Sequence, residues 1–120
     1  MIVRIKKNGG PVHVTITVET VAAMRWWYEY AYEKNQQFQG KGEGSKIDAY
    51  ALGMPHEIDN DINTWVIALA NIGNVQQDFT MRITWNQDGV ELSDKWEKTG
   101  RIDANSESPS LRDSVWLIAI

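Results

Sequence analysis

The oxygen-bearing side chains of one short stretch are the first candidates for chemistry in this sequence. Asp59, Asp61 and Asn63 stand at alternate positions of the run Asp-Asn-Asp-Ile-Asn. Calcium takes about six to eight oxygen ligands, and loops with acids or amides at their first, third and fifth positions supply several of them. Unlike an EF-hand, this run is followed by Thr64 where the turn glycine belongs and by Ala70 where the bidentate glutamate belongs. It is a candidate calcium site, with turn hydrogen bonding as the alternative role of the same side chains.

His56 and Glu57 come just before that run and are the titratable residues that we predict to contact a ligand. A histidine is weak evidence for catalysis when no nucleophile accompanies it, and no Gly-x-Ser-x-Gly elbow surrounds a serine here. No two carboxylates stand out as the pair that a glycosidase needs. The chain has no cysteine, which excludes thiolate nucleophiles, disulfides and sulfur-ligated zinc. We therefore expect no enzymatic activity and no cofactor other than the candidate calcium ion.

The most unusual feature of the composition is the presence of six tryptophans in 120 residues. Three of them stand at positions predicted to face the core: Trp26, Trp65 and Trp85. Trp27 and Trp96 instead share their surroundings with charged side chains. A large aromatic ring on a polar face covers apolar surface, seals an interface or stacks on a ligand such as a sugar. Together with His56 and Glu57, these two tryptophans are our predicted ligand-binding residues.

The segment that carries Trp27, residues 24–33, is predicted to be a long amphipathic β-strand. At period two, five side chains share one face: Met24, Trp26, Tyr28, Tyr30 and Tyr32. Trp27 belongs to the opposite face, among charged residues. An amphipathic helix over about residues 21–37, with Thr20 as its N-cap, is the alternative. We favour the strand because aromatic residues favour sheets.

The remaining elements indicate an all-β fold. Strands are predicted over residues 2–7, 12–18, 47–52, 64–72, 79–85, 90–100, 101–104 and 115–120, whereas residues 36–46, with three glycines, are predicted to be a flexible connection. Eight or nine short strands separated by frequent turns predict one antiparallel β-sandwich of immunoglobulin-like or jelly-roll type spanning residues 1–120. The helical alternative would make the fold α+β.

Net charge and hydropathy limit the partners that we expect. A net charge of −4 disfavours binding to nucleic acid and to anionic lipid. The N-terminus lacks a signal-peptide pattern, and no run of about 18 apolar residues could span a membrane. These features predict a cytoplasmic protein, or one released without a classical signal peptide.

Three functions fit these features. The first is a non-catalytic, lectin-like β-sandwich that binds a carbohydrate or another small ligand through exposed tryptophan and the acidic loop. The alternative is a self-assembling structural protein, a homo-oligomer whose aromatic strand and apolar C-terminal strand make the subunit contacts. The third, a membrane-active sandwich, is disfavoured by the acidic charge.

Overall fold

Two β-sheets packed face to face make up the fold in the computed structural model, which describes residues 1–32 and 36–120. Sheet A contains six strands: β1 (Ile2–Ile5), β3 (Met24–Tyr32), β4 (Gln36–Glu43), β6 (Ile62–Asn71), β9 (Ser106–Glu107) and β10 (Leu111–Ala119). Sheet B contains four: β2 (Val12–Glu19), β5 (Lys46–Gly53), β7 (Gln77–Gln87) and β8 (Val90–Ile102). The helical turn α1 (Pro55–Ile58) lies between β5 and β6 in the chain.

The strand order is β1-β10-β6-β3-β4 in sheet A, where β9 also pairs with β6, and β5-β2-β7-β8 in sheet B. Neighbouring strands pair antiparallel except β1 and β10, which are parallel. Within the described ranges, no helix has the length and apolar character needed to cross a membrane. The predicted β-sandwich is confirmed, and the described residues form ten strands rather than eight or nine.

Two local predictions are wrong. The alternative helix over residues 21–37 does not form, because Met24–Tyr32 is strand β3 and its even-numbered side chains are buried. The predicted flexible connection over residues 36–46 is mostly strand β4. β4 pairs with β3 in an unbroken antiparallel register from Gln36 to Glu43. The glycines of β4 therefore serve packing rather than flexibility.

The aromatic rings of β3 explain why β4 carries glycine at alternate positions. A Cβ atom on Gly40 would lie 2.4 Å from ring atoms of Tyr28, and one on Gly42 would lie 2.9 Å from the Trp26 ring. Both rings therefore lie across the bare backbone of the neighbouring strand, where any larger residue would clash. The Tyr28 hydroxyl continues past β4 and donates a 2.6 Å hydrogen bond to Asp48 Oδ2 on β5. This contact joins the two sheets at the β4–β5 edge.

The core between the sheets is largely aromatic. The ring of Tyr30 stacks on Trp65 with centroids 5.8 Å apart, and Trp65 contacts Trp85 from sheet B at 6.1 Å. The three tryptophans predicted to face inward, Trp26, Trp65 and Trp85, are all buried. The even-numbered face of β3 is therefore core, as its alternation indicated.

A short polar chain crosses this apolar interior. The Tyr30 hydroxyl donates to Asn63 Oδ1 at 2.6 Å and accepts from Trp85 Nε1 at 3.2 Å. All three residues are buried. Since buried polar groups are costly when unpaired, Tyr30 connects two groups that would otherwise lack a partner at these atoms.

Burial also changes the titration of the core tyrosines. Desolvation raises the pKa of Tyr30 well above its usual value, with a smaller raising effect from Tyr32, although the hydrogen bond from Trp85 lowers it. Desolvation raises the pKa of Tyr28 as well, and its hydrogen bond to Asp48 adds to the shift. A phenol with a raised pKa in the folded state contributes stability that is complete below the unfolded pKa, about 10, and is lost as pH rises above it.

We therefore expect the protein to lose stability at alkaline pH. Ionisation of Tyr30 in the unfolded chain lowers the free energy of unfolding by about 1.4 kcal/mol for each pH unit above about pH 10. Urea titrations at a series of pH values from neutral to strongly alkaline measure this slope. The Tyr30→Phe variant is the control, since it removes one ionisable group and has a shallower slope. Equal slopes for the two proteins would contradict the assignment of the effect to Tyr30.

Candidate functional site

Of the two tryptophans predicted to bind a ligand, Trp27 is the one that lies open to solvent. Its side chain is 37% exposed on the outer face of sheet A, the face that points away from sheet B. In the strand register, Trp27 lies directly opposite Lys41 of β4 on one side and Ala68 of β6 on the other. The odd-numbered face of β3 thus presents one large aromatic ring on the strand next to the sheet edge β4.

Trp96 occupies a different environment from the one that its charged neighbours indicate. Its ring packs edge-on against the buried Trp65 with centroids 5.4 Å apart, and its Nε1 donates to Asp113 Oδ2 at 3.1 Å. It is half-buried against the core. The charged residues Lys95 and Glu97 that flank it in sequence are exposed, so alternation along β8 turns the indole inward. Trp96 closes the sandwich between β8 and β10 and is not part of the open surface around Trp27.

His56 and Glu57 lie on α1, which packs against β5 and β10. His56 is exposed, and Glu57 Oε1 accepts a 2.9 Å hydrogen bond from the Met54 backbone N–H at the start of the turn. Trp27 lies beside Ala68, which is six residues, or about 20 Å, along β6 from the strand's first residue. The structure therefore does not bring the four predicted ligand residues into one site.

Two of the three predicted calcium ligands accept hydrogen bonds from other residues of the protein. Asp59 Oδ1 accepts a hydrogen bond from the Ala119 N–H at 2.8 Å, and Asn63 Oδ1 is taken by Tyr30. Asp61 and Asn63 are buried because the strand begins here, at residue 62, rather than at 64. Among residues 1–32 and 36–120, no group of three or more His, Cys, Asp or Glu side chains is placed to hold a metal ion. Calcium binding at these residues stays a prediction.

Small residues leave open space on both sides of Trp27. On the β6 side is a depression of about 330 Å³, lined in part by Ala68, Ala70, Glu107 and Ser110. On the β4 side is one of about 420 Å³, lined by Trp27, Gln39, Gly40 and Lys41. We call the two depressions and the ring between them the indole trough. The exposed indole of Trp27 can therefore be reached from solvent both on the β4 side and on the β6 side.

Two arginines on sheet B form ion pairs. On sheet B, Arg82 pairs with Glu19 at 3.1 Å and with Glu97 at 2.7 Å, and Arg101 pairs with Asp78 at 2.7 Å. On the outer face of sheet A, six charged side chains have no ion pair with any described residue: Arg25, Glu29, Lys41, Glu43, Glu107 and Arg112. Their hydrogen-bonding groups are available to an external ligand that offers both donors and acceptors.

Sequence reasoning predicted that Trp27 lies on the outward face of its strand but missed the residues that leave space around it. Ala68, Ala70 and Gly40 carry no functional group, and their contribution depends on which strands lie beside β3. The register that places Lys41 and Ala68 opposite Trp27 joins residues far apart in the chain. An apolar β6 was the available signal, since its outward residues Val66, Ala68 and Ala70 are only half-buried.

Known proteins offer no guide to the role of this trough: no protein-family model, curated protein or solved structure matches the chain.

Proposed function

We propose that this protein is a non-catalytic binding module that takes a carbohydrate in the indole trough, with Trp27 as the stacking platform. The observation that carries the proposal is the position of Trp27, 37% exposed and flanked on both sides by open depressions. An exposed indole with the small Ala68 beside it on β6 offers a flat apolar surface. A sugar ring has a matching face of C–H groups, so stacking buries apolar area on both partners.

Polar side chains near the ring supply the second half of sugar recognition. Lys41 lies directly across from Trp27, and Arg25 stands two residues before it on the same face. Both are donors only, while Glu107 on the β6 side is an acceptor. Sugar hydroxyl groups donate and accept hydrogen bonds, so they match a surface that carries unpaired groups of both kinds. A purely apolar ligand would leave these charges without partners.

The openness of the trough predicts weak binding to a single site. Pockets that bind small molecules tightly enclose most of the ligand surface, whereas this trough is bounded by one sheet face. Binding energy therefore depends on the indole and a few hydrogen bonds, and a single ring carries a large share of it. Repeated presentation of the module would raise the apparent affinity.

We expect the Trp27→Ala variant to bind its carbohydrate at least about tenfold more weakly than the parent protein, a loss of about 1.4 kcal/mol or more. A glycan array selects the ligand, and isothermal titration measures its dissociation constant. The matched control is Trp116→Ala, which removes another exposed tryptophan from the same face. Trp116 lies opposite Ile62, about 20 Å along β6 from the level of Trp27, so the control retains its affinity.

Two results would contradict the proposal. The first is an array with no bound glycan at protein concentrations suited to weak binding. The second is a glycan whose affinity is unchanged by Trp27→Ala, which would locate the binding site elsewhere.

A further inference from the structure

A second apolar feature lies on the outer face of sheet A, at the corner away from the indole trough. Ile2, Trp116 and Ile62 stand in one row across the adjacent strands β1, β10 and β6. They are 44%, 46% and 47% exposed. Three large apolar side chains that adjoin across strands form a continuous patch rather than scattered surface residues. We call this set the isoleucine–tryptophan row.

The edge beside this row is closed to strand addition. In the parallel pairing with β10, the N–H groups of Arg4 and Lys6 point away from the sheet. The Arg4 N–H donates to Asp94 Oδ2 at 3.0 Å, and the Lys6 N–H donates to Gln87 Oε1 at 2.8 Å. The Lys6 carbonyl accepts from Gln87 Nε2 at 2.9 Å. Side chains of sheet B thus occupy three of the backbone groups that a further strand would need. A partner can approach the row only by its face.

We propose that the isoleucine–tryptophan row is the contact between two copies of this chain in a two-fold dimer. The row is symmetric, with an isoleucine on each side of the central tryptophan. A two-fold axis that passes over Trp116 and runs parallel to the strands places Trp116 of one copy opposite Trp116 of the other. It also places Ile2 of each copy over Ile62 of the other. A two-fold contact requires such self-complementarity, and the row provides it without any change in register.

The charges at the end of the row fit the same axis. Lys6 is exposed on the β1 side of β10, and Asp59, also exposed, is held on the opposite side through its hydrogen bond with Ala119. The two-fold operation exchanges these two sides. Lys6 of each copy therefore moves toward Asp59 of the other, so opposite charges meet at both ends of the contact. A membrane surface has no such symmetry, and the net charge of −4 opposes contact with anionic lipid.

The size of the contact predicts a weak dimer. The three strands overlap at the single level of Ile2, Trp116 and Ile62, so even a footprint three strands wide, at about 4.8 Å each, and six residues long, at about 3.3 Å each, covers at most roughly 300 Å² of the sheet. A standard interface covers about 800 Å² on each partner. We therefore expect a monomer–dimer equilibrium that shifts with protein concentration.

The dimer leaves the indole trough open. β1 is the edge strand and has only four residues, Ile2–Ile5, so the second copy covers β6 near Ile62 and not near Ala68. Trp27 on β3 stays outside the contact. This inference does not depend on the proposed function, and each can fail without the other.

Sedimentation velocity over a wide range of protein concentrations tests the dimer in the whole chain. We expect the parent protein to show dimer at high concentration. The Trp116→Ala variant raises the dimer dissociation constant by at least about tenfold, and Lys6→Glu weakens the dimer because it places like charges together at Asp59. Trp27→Ala is the matched control and dimerises like the parent. Far-ultraviolet circular dichroism and melting curves confirm that each variant folds.

A parent protein that stays monomeric at all concentrations would overturn the proposal. So would a dimer that Trp116→Ala leaves intact, or one that Trp27→Ala and Trp116→Ala weaken equally, because the contact would then lie elsewhere or span the whole face. Co-sedimentation with vesicles of phosphatidylcholine and phosphatidylserine tests the competing occupant. Binding to vesicles through Trp116 by a protein that is monomeric in solution would also overturn the proposal.

Discussion

The free energy of unfolding of a Gly40→Val variant is expected to be about 3 kcal/mol lower than that of the parent protein. Valine favours strands in general, so the loss has to come from packing. Its Cβ would lie 2.4 Å from ring atoms of Tyr28. That ring cannot move freely, because its hydroxyl is hydrogen-bonded to Asp48 and to the Tyr50 hydroxyl. Either the ring leaves its place between the sheets or β4 moves away from β3, and both outcomes separate packed surfaces.

The neighbouring residue Gln39 provides the control. Its side chain is exposed on the outer face of the same strand, so Gln39→Val introduces the same side chain with no ring beneath it. Urea unfolding followed by circular dichroism gives the difference between the two variants. Equal stability of Gly40→Val and Gln39→Val would show that the Tyr28 ring does not lie over the β4 backbone.

The free energy of unfolding of a Tyr30→Phe variant at neutral pH is expected to be about 2–4 kcal/mol lower than that of the parent protein, although the substitution removes a single oxygen atom. The hydroxyl of Tyr30 is the hydrogen-bond partner of both Asn63 Oδ1 and Trp85 Nε1. Phenylalanine fills nearly the same volume, so the cost arises from two buried polar atoms that lose their partner together. Urea unfolding at neutral pH measures this loss.

Tyr50→Phe is the matched control for that loss, because it also removes one tyrosine hydroxyl. Tyr50 is half-buried, and its hydroxyl bonds Tyr28, which keeps its second hydrogen bond to Asp48. We expect this variant to lose less than about 1 kcal/mol. Similar losses of stability in Tyr30→Phe and Tyr50→Phe would show that the buried hydrogen bonds of Tyr30 to Asn63 and Trp85 contribute no more than an ordinary tyrosine hydroxyl.

Alternation along the sequence was sufficient to predict the sandwich and the two faces of β3. A strand has only two faces, so the periodicity that buries Tyr28 and Tyr30 also places Trp27 on the outside. The same reasoning could not predict strand β4, because its glycines have no side chains and so interrupt any pattern of alternation. Their role depends on rings contributed by another strand, and only the register between β3 and β4 shows it.

The acidic loop shows a second limit of sequence reasoning. Asp61 and Asn63 carry oxygen atoms suited to calcium, and nothing in their types separates a metal ligand from a buried hydrogen-bonding group. The strand begins at Ile62, which places Asn63 next to Tyr30 in the interior. For Trp96 the misleading signal was its charged neighbours, which lie on the opposite side of the strand. In both cases the decisive information was which side of the backbone each residue occupies.

The parallel pairing of β1 with β10 has a mechanical consequence. The first and last strands lie side by side and run in the same direction, held by bonds such as Trp116 N–H to the Met1 carbonyl and Ile120 N–H to the Ile5 carbonyl. A force that pulls the two ends of this chain apart slides these strands along each other. The bonds between them then share the load, instead of opening one after another as in a zipper. The fold therefore resists stretching through the β1–β10 pair, the two strands to which a force on the ends of this chain is applied.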